Sequence, residues 1–311
     1  MSSNLIHKAV LQKEAIDAMN IKTSGVYIDA TFGRGGHSKA ILDCLGKNGK
    51  LIVMDRDPEA IAVANELRES DSRLQAVHAP FSQIREIKET ISLVNSVDGI
   101  LFDLGVSSPQ LDDAQRGFSF LRDGPLDMRM NPLIGISAAE WINNAEESEI
   151  ANTFYKFGDE KYSRRMAKRI IAKRAISEIS TTSQLAEIVK DANPAWEKDK
   201  HPATRVFQAI RILINQELEE IEKGLRESLV LLRGGGRLVV ISFHSKEDRI
   251  VKRFIADRVK GDDFPRDLPV TSKWLNPELK KIKKSLKAGP EEILDNPRSR
   301  SAVMRVAEKL N

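Results

Sequence analysis

The run Val26-Tyr-Ile-Asp-Ala-Thr31 passes directly into Phe-Gly-Arg-Gly-Gly36 and then into His-Ser-Lys-Ala-Ile-Leu-Asp-Cys-Leu45. A β-prone stretch, a glycine-rich turn and a helix-prone stretch in immediate succession leave few folds open. The same alternation recurs downstream. Lys50-Leu-Ile-Val-Met-Asp55 is a second apolar strand, and Pro58–Arg68 is a helix with proline at its start and Ile61, Ala62, Ala64 and Leu67 as its apolar positions. Leu74–His78 reads as a third strand, Phe81–Val94 as a third helix and Asp98-Gly-Ile-Leu-Phe-Asp103 as a fourth strand. Near-continuous apolar strands alternating with helices predict an α/β fold with a parallel, doubly wound sheet.

From about Asp112 to Asn215 the alternation stops, and the pattern is helical, polar and basic. It resumes with a helix over Glu217–Leu232, the terminator Arg233-Gly-Gly-Gly236, a strand over Arg237–Ser242 and a helix over Glu247–Lys260. Ser301–Glu308 reads as a last, antiparallel edge strand. The expected organisation is one domain formed by residues 1–112 and 216–311, interrupted by a helical insertion at 113–215.

The 311 residues are 41% hydrophobic and 30% charged, enough to bury a sizeable core. No segment approaches the roughly 18 apolar residues of a membrane span, and residues 1–8 lack the apolar region of a signal peptide. The single cysteine, Cys44, excludes an internal disulfide and a cysteine zinc site and fits a reducing cytoplasm. His7, His37, His78, His201 and His244 show no close ligand spacing, so no metal is expected. The net charge is only +4, but it is clustered. Lys161, Arg164, Arg165, Lys168, Arg169, Lys173 and Arg174 come without an intervening acid, and Lys273–Lys287 holds six lysines against Glu278 alone. Such clusters are either a nucleic-acid footprint or a solvated helix face.

The glycine turn lacks the third glycine of a nicotinamide-dinucleotide fingerprint, Ser38 standing in its place. Its spacing, Asp29-x-Thr31-x-Gly33-x-Gly35, fits the acidic-x-Gly-x-Gly-x-Gly turn of S-adenosylmethionine (SAM) methyltransferases better, with Thr31 replacing the first glycine. Asp55, 19 residues after Gly36 at the end of the second strand, can accept both hydroxyls of a ribose. Carboxylates at three strand ends, Asp29, Asp55 and Asp103, suit a sulfonium cation better than a pyrophosphate. A nicotinamide-dependent oxidoreductase is the competing enzyme class.

Asp103 opens Asp-Leu-Gly-Val-Ser-Ser-Pro-Gln-Leu-Asp112 and should face the cofactor, as a cofactor ligand or as an acceptor for the hydrogens of an attacking exocyclic amine. The Asp-Pro-Pro-aromatic segment of many amine methyltransferases is absent, which leaves Phe118 or Phe120 to stack on a base or to pack in the core. Cys44 lies at the end of the first helix, as a small buried hydrophobe, so methylation of a pyrimidine carbon through a cysteine adduct is disfavoured. His37 is placed in the cofactor pocket, His244 on the same face and His78 under the sheet.

Segments 29–38, 103–112, 117–120, 125–130, 201–212, 241–245 and 296–302 together resemble the RsmH (MraW) family, bacterial 16S rRNA cytosine-N4 methyltransferases. Lys246 stands where that pattern has leucine. The resemblance implies a Rossmann-like class I SAM-dependent methyltransferase fold and methylation of a cytidine N4 in the decoding region of the small ribosomal subunit. It implies cofactor contacts at Gly35, Gly36, His37, Asp55, Phe81, Asp103 and Gln110, with Phe81 over the adenine. The helical insertion corresponds to that family's substrate-recognition domain. The Asp103–Ser108 loop, with Ser107 and Ser108, is the candidate for positioning the amine. Phe118, Arg129, Arg205, Arg298 and Arg300 are candidates for substrate contact. A SAM-dependent amine methyltransferase acting on another nucleic acid is the nearest alternative, and the chain is left as a monomer or a homodimer.

Overall fold

A computed structural model describes residues 9–195, 201–262 and 275–311. The N-terminal residues 1–8, including His7, and Lys273 of the second basic run lie outside the described residues. In chain order the first elements are α1 (Gln12–Met19), β1 (Val26–Asp29), α2 (Gly36–Cys44), β2 (Lys50–Asp55), α3 (Pro58–Ser70), β3 (Leu74–His78) and β4 (Val97–Asp103). Six helices follow: α4 (Ser108–Asp112), α5 (Ala138–Asn144), α6 (Glu147–Gly158), α7 (Ser163–Arg174), α8 (Thr182–Ala192) and α9 (Ala203–Ile214). The chain then returns through α10 (Glu217–Leu231), β5 (Leu232–Ser242), α11 (Ser245–Lys260), β6 (Leu279–Lys281), β7 (Leu286–Lys287), α12 (Pro290–Asp295) and β8 (Val303–Lys309). Two compact units result, one of residues 1–105 and 218–311, the other of residues 106–217.

The first unit is built on a sheet of order β3-β2-β1-β4-β5-β8-β6, with β7 also paired to β8. Strands β1 to β5 are mutually parallel, and β8 runs antiparallel to β5. The period-2 alternation of side chains divides the core. Tyr27, Leu51, Leu101 and Val239 point to the face covered by α1, α2 and α3. Ile28, Ile52, Ile100 and Val240 point to the face packed by Ile221 and Leu225 of α10 and Val251 and Ile255 of α11. Helix α3 starts where the chain dictates: the Asp57 side chain accepts the Glu59 N–H at 3.0 Å, and Pro58 occupies the first turn.

Three expectations need correction here. Residues 81–94 are not a helix; only a 3-10 turn over Phe81–Gln83 forms, followed by turns. Ile84, Ile87, Ile91 and Val94 have helical spacing but are β-branched. The Thr90 hydroxyl donates to the carbonyl of Ile84, a side chain competing with the helical ladder. The strand at the C-terminal end is not an edge, since β6 and β7 pair with its far side. The glycines 234–236 do not end a helix before the strand. They sit inside β5, where the register against β4 breaks between Val97 and Gly99, and Gly235 takes φ +76°.

The second unit is helical. Helix α6 packs on α7 and α9, and α8 on α7 and α9. Ile150, Phe154, Met166, Ile170, Leu185, Val189, Val206 and Ile210 are among its buried residues. Capping boxes start α5 (Ser137 with Glu140) and α8 (Thr181 with Gln184). Buried Asn215 ties the segment before α5 to the end of α9. Its Oδ1 accepts the Met130 N–H at 2.7 Å, and its Nδ2 donates to the carbonyls of Met128 at 2.7 Å and Arg211 at 2.9 Å. Met128 itself is fully buried with φ 62°. Asn215→Ala strands a buried N–H and a buried carbonyl, so a loss of about 1–3 kcal/mol is expected, read as a lower urea midpoint at unchanged m.

Candidate active site at the strand ends

Three carboxylates stand at the C-terminal ends of adjacent parallel strands, β2, β1 and β4, where ligands bind in open α/β sheets. The structure gives each a different task. Asp29 is buried and consumed by the turn: Ser38 Oγ donates to it at 2.5 Å, and the Thr31 N–H at 3.2 Å. Asp55 accepts the Gly33 N–H at 2.8 Å on one oxygen and the Asp57 N–H at 2.9 Å on the other. Each carboxylate oxygen has a second lone pair, the requirement for two sugar hydroxyls. Burial pushes the Asp55 carboxyl up to about 6, against the pull of the Asp57 and Gly33 N–H groups and aided by the nearby charges of Asp57 and Asp29.

Asp103 ends β4 with its Oδ2 3.5 Å from Nε2 of His37. Neither ring nitrogen of His37, nor Oδ1 of Asp103, has a hydrogen-bond partner among the described residues. Burial works against charge on the His37 imidazole. The facing Asp103, with Asp29 and Glu292 also near, outweighs it and carries its pKa above the ordinary histidine value. The Asp103 Oδ1 and the His37 ring nitrogens, all without hydrogen-bond partners among the described residues, are polar atoms that a ligand at the strand ends can engage.

The turn itself requires its glycines. Gly33 and Gly35 take φ 55° and 76°, and a Cβ on Gly35 would lie 2.7 Å from the Phe32 ring. Gly36 and His37 open α2, whose N-terminus faces the strand ends. Thr31, a departure from the glycine pattern, has a role that sequence reasoning missed. Its hydroxyl accepts the Asp103 N–H at 2.6 Å and so locks the end of β4 to the turn after β1. The usable signal was a hydroxyl at a position that normally needs none. Phe81 follows β3, half-buried and edge-on to Phe102 at 5.4 Å.

Other expectations resolve differently. His78 is exposed, not under the sheet, and its Nε2 lies 3.0 Å from the Arg56 carbonyl. Cys44 is exposed rather than buried. It sits at the C-terminal end of α2, remote along that helix from the glycine turn. His244 caps α11: its Nδ1 accepts the Glu247 N–H at 3.4 Å, while its Nε2 lies 3.2 Å from Glu247 Oε1.

The remaining candidates lie in the second unit or the C-terminal segment. Ser107 and Gln110 form a capping box at α4, with the Ser107 N–H donating to Gln110 Oε1 at 2.9 Å. Ser108 is the first residue of that helix. Phe118 is buried with the Arg116 guanidinium over its ring, which makes it a packing residue rather than a free stacking platform. Phe120 lies tilted over His201 at 4.8 Å and edge-on to Phe207 at 5.0 Å. Arg129 is held in a two-pronged pair by Asp127, at 2.8 and 2.7 Å. Arg205 is half-buried, whereas Arg298 and Arg300 are exposed.

The model of the MraW methylase family matches residues 4–310. The chain belongs to the MraW methylase family. It is therefore a SAM-dependent methyltransferase of class I, Rossmann-like fold, and the oxidoreductase alternative falls away. Among solved structures, a Clostridium thermocellum protein is 12% identical, with 97% of this chain and 98% of that one covered and a TM-score of 0.46. An rRNA methylase of Streptococcus thermophilus is 11% identical, over 100% and 99% of the two chains, with a TM-score of 0.39. TrmN of Thermus thermophilus is 12% identical at a TM-score of 0.44, over 96% of this chain and 48% of TrmN. Likeness this remote assigns no substrate. No helix among the described residues is long and apolar enough to cross a membrane.

The MraW methylase site fits its cofactor. SAM supplies, when bound, a methyl group carried on a sulfonium cation. Asp55 has the free lone pairs for the ribose, and Asp103 has an unsatisfied oxygen.

Proposed function

We propose that this MraW-family enzyme methylates the exocyclic N4 of a cytidine in the decoding region of 16S rRNA, in the small ribosomal subunit of the cytoplasm. The observation that carries the reading is Asp103, a carboxylate at the end of β4 whose Oδ1 has no partner among the described residues. The motifs over 103–112 and 201–212 that resemble RsmH support the cytidine assignment.

In this reading Asp55 grips the ribose, Gly35, Gly36 and His37 line the cofactor, Phe81 covers the adenine and Gln110 adds a further contact. The lone pair of an exocyclic amine is delocalised into the ring, which makes it a poor nucleophile. The loop from Asp103 through Ser107 and Ser108 holds the amine hydrogens, which favours a pyramidal nitrogen aligned for in-line attack. Asp103 is chiefly the cofactor's ligand, and the surplus proton leaves to solvent or a nearby carboxylate. A stacked or paired cytidine has to be splayed out to reach the strand ends. The second unit recognises the RNA, with Arg129 and Arg205 as candidate contacts, and Arg298 and Arg300 are candidates on the first unit. The exposed Cys44 at the far end of α2 argues against ring-carbon chemistry.

Mass spectrometry of rRNA nucleosides from cells with and without this protein tests the reading. One N4-methylated cytidine should disappear from 16S rRNA in its absence. An unchanged nucleoside profile refutes the assignment.

A further inference from the structure

Helix α7 breaks two rules of helix electrostatics. Its first turn holds no acid and carries Arg164 and Arg165, cations placed at the positive end of the helix dipole. Arg164 with Lys168, Arg165 with Arg169 and Arg169 with Lys173 are like-charge pairs at i,i+4, each destabilising by about 0.2–0.5 kcal/mol. All five side chains are exposed, and none makes a hydrogen bond or ion pair among the described residues. Arg174 on the same helix is the internal contrast. It is half-buried and donates to the carbonyls of Ile142 and Ala145, both at 2.7 Å. The helix therefore uses one arginine for structure and leaves the other cations facing solvent. Local rules broken without a compensating contact mark a functional surface.

We propose that this face of α7, Arg164, Arg165, Lys168, Arg169 and Lys173, is a phosphate-docking surface for RNA. The five cations fall within half the helix circumference over about 14 Å of its axis, a stripe that suits a backbone strand. Three of the five are arginines, whose planar guanidinium groups match phosphate oxygens. A membrane surface suits the helix less well, because its apolar positions, Met166, Ala167 and Ile170, are buried and cannot insert into lipid. The inference rests on the proposed RNA substrate, not on which atom is methylated.

The test is a salt titration of binding to a short mixed-sequence single-stranded RNA, comparing wild type with the quadruple variant R164Q/R165Q/K168Q/R169Q. Loss of four phosphate contacts should lower the slope of log K against log salt by about 3. RNA affinity should fall at least tenfold, with SAM affinity unchanged and the thermal midpoint unchanged or raised, because the like-charge pairs are relieved. An unchanged slope in a folded variant overturns the proposal. Should the variant not fold, acylation footprinting of the wild type decides: RNA must protect Lys168 and Lys173, and unprotected lysines overturn it. Anionic vesicles or polyglutamate binding as tightly as RNA at the same salt would overturn the choice of partner. Intact RNA binding with no N4-methylcytidine formed would sink the substrate assignment and leave this face standing.

Discussion

Asp103→Asn is expected to slow methyl transfer about 10²- to 10³-fold in single-turnover assays, the range for loss of one preorganised electrostatic contact. The substitution keeps the shape and leaves the backbone N–H that Thr31 accepts, so β4 stays locked to the turn. It replaces an acceptor by a group with two donors, at a point where the unpartnered oxygen is needed for a ligand's hydrogens. It also removes the charge that faces His37 at 3.5 Å. The imidazole should then titrate lower, because burial already disfavours its cation and Asp103 is its principal counterweight. Nuclear magnetic resonance of the His37 ring separates this variant from one that has merely lost its fold. Because Asp103 is assigned chiefly to the cofactor, SAM affinity should weaken with the rate. Full affinity with a slow rate would shift its role to the acceptor amine.

The second large effect concerns Asp55. Asp55→Ala should weaken SAM binding by about 1.5–3 kcal/mol, the range for hydrogen bonds to a charged group, or roughly 10- to 100-fold. Unchanged affinity in calorimetry would remove the ribose assignment. The wild-type carboxyl adds a pH signature. Its pKa is raised to about 6, so in the ligand-free protein the acid binds its proton more tightly than in the unfolded chain. Sugar hydroxyls donate to the ionised form. Affinity should therefore fall as the pH drops through about 6, and binding near that pH should release a proton, read from calorimetry in buffers of different ionisation enthalpy. The same shift costs the ligand-free fold stability as the pH rises from the ordinary carboxylate value to about 6, and the cofactor should recover it.

Much of this was legible in the residues. Strands β1, β2 and β4 announce themselves as apolar runs, each ending on an aspartate, and the glycine turn follows the first of them directly. The division of labour among the three aspartates was not legible. Asp29 is spent on Ser38 and Thr31, and only the path of the turn reveals it. The failed helix at 81–94 shows the limit of periodicity. Apolar spacing says which residues share a face, not whether β-branched side chains and a competing threonine let the helix form. His78 and Cys44 were misplaced for a related reason, since position within an element does not report where its neighbours' cover ends. The basic run of 161–174 read as either a binding face or a solvated face. Only the fold separates Arg174, which is tied to two carbonyls, from the cations beside it.

Strand β4 lies between β1 and β5, yet β5 begins only after the whole helical unit has intervened. A loop of that length has to close before β4 and β5 can pair, which makes this part of the sheet a non-local and slow-forming contact. Asp103 pairs with Ile241 of β5, and Leu104 donates to the same residue's carbonyl at 2.9 Å. The carboxylate thus sits on a border that stays open until this late zippering. A newly made chain therefore completes the frame around Asp103 only once residues far along the sequence have been added.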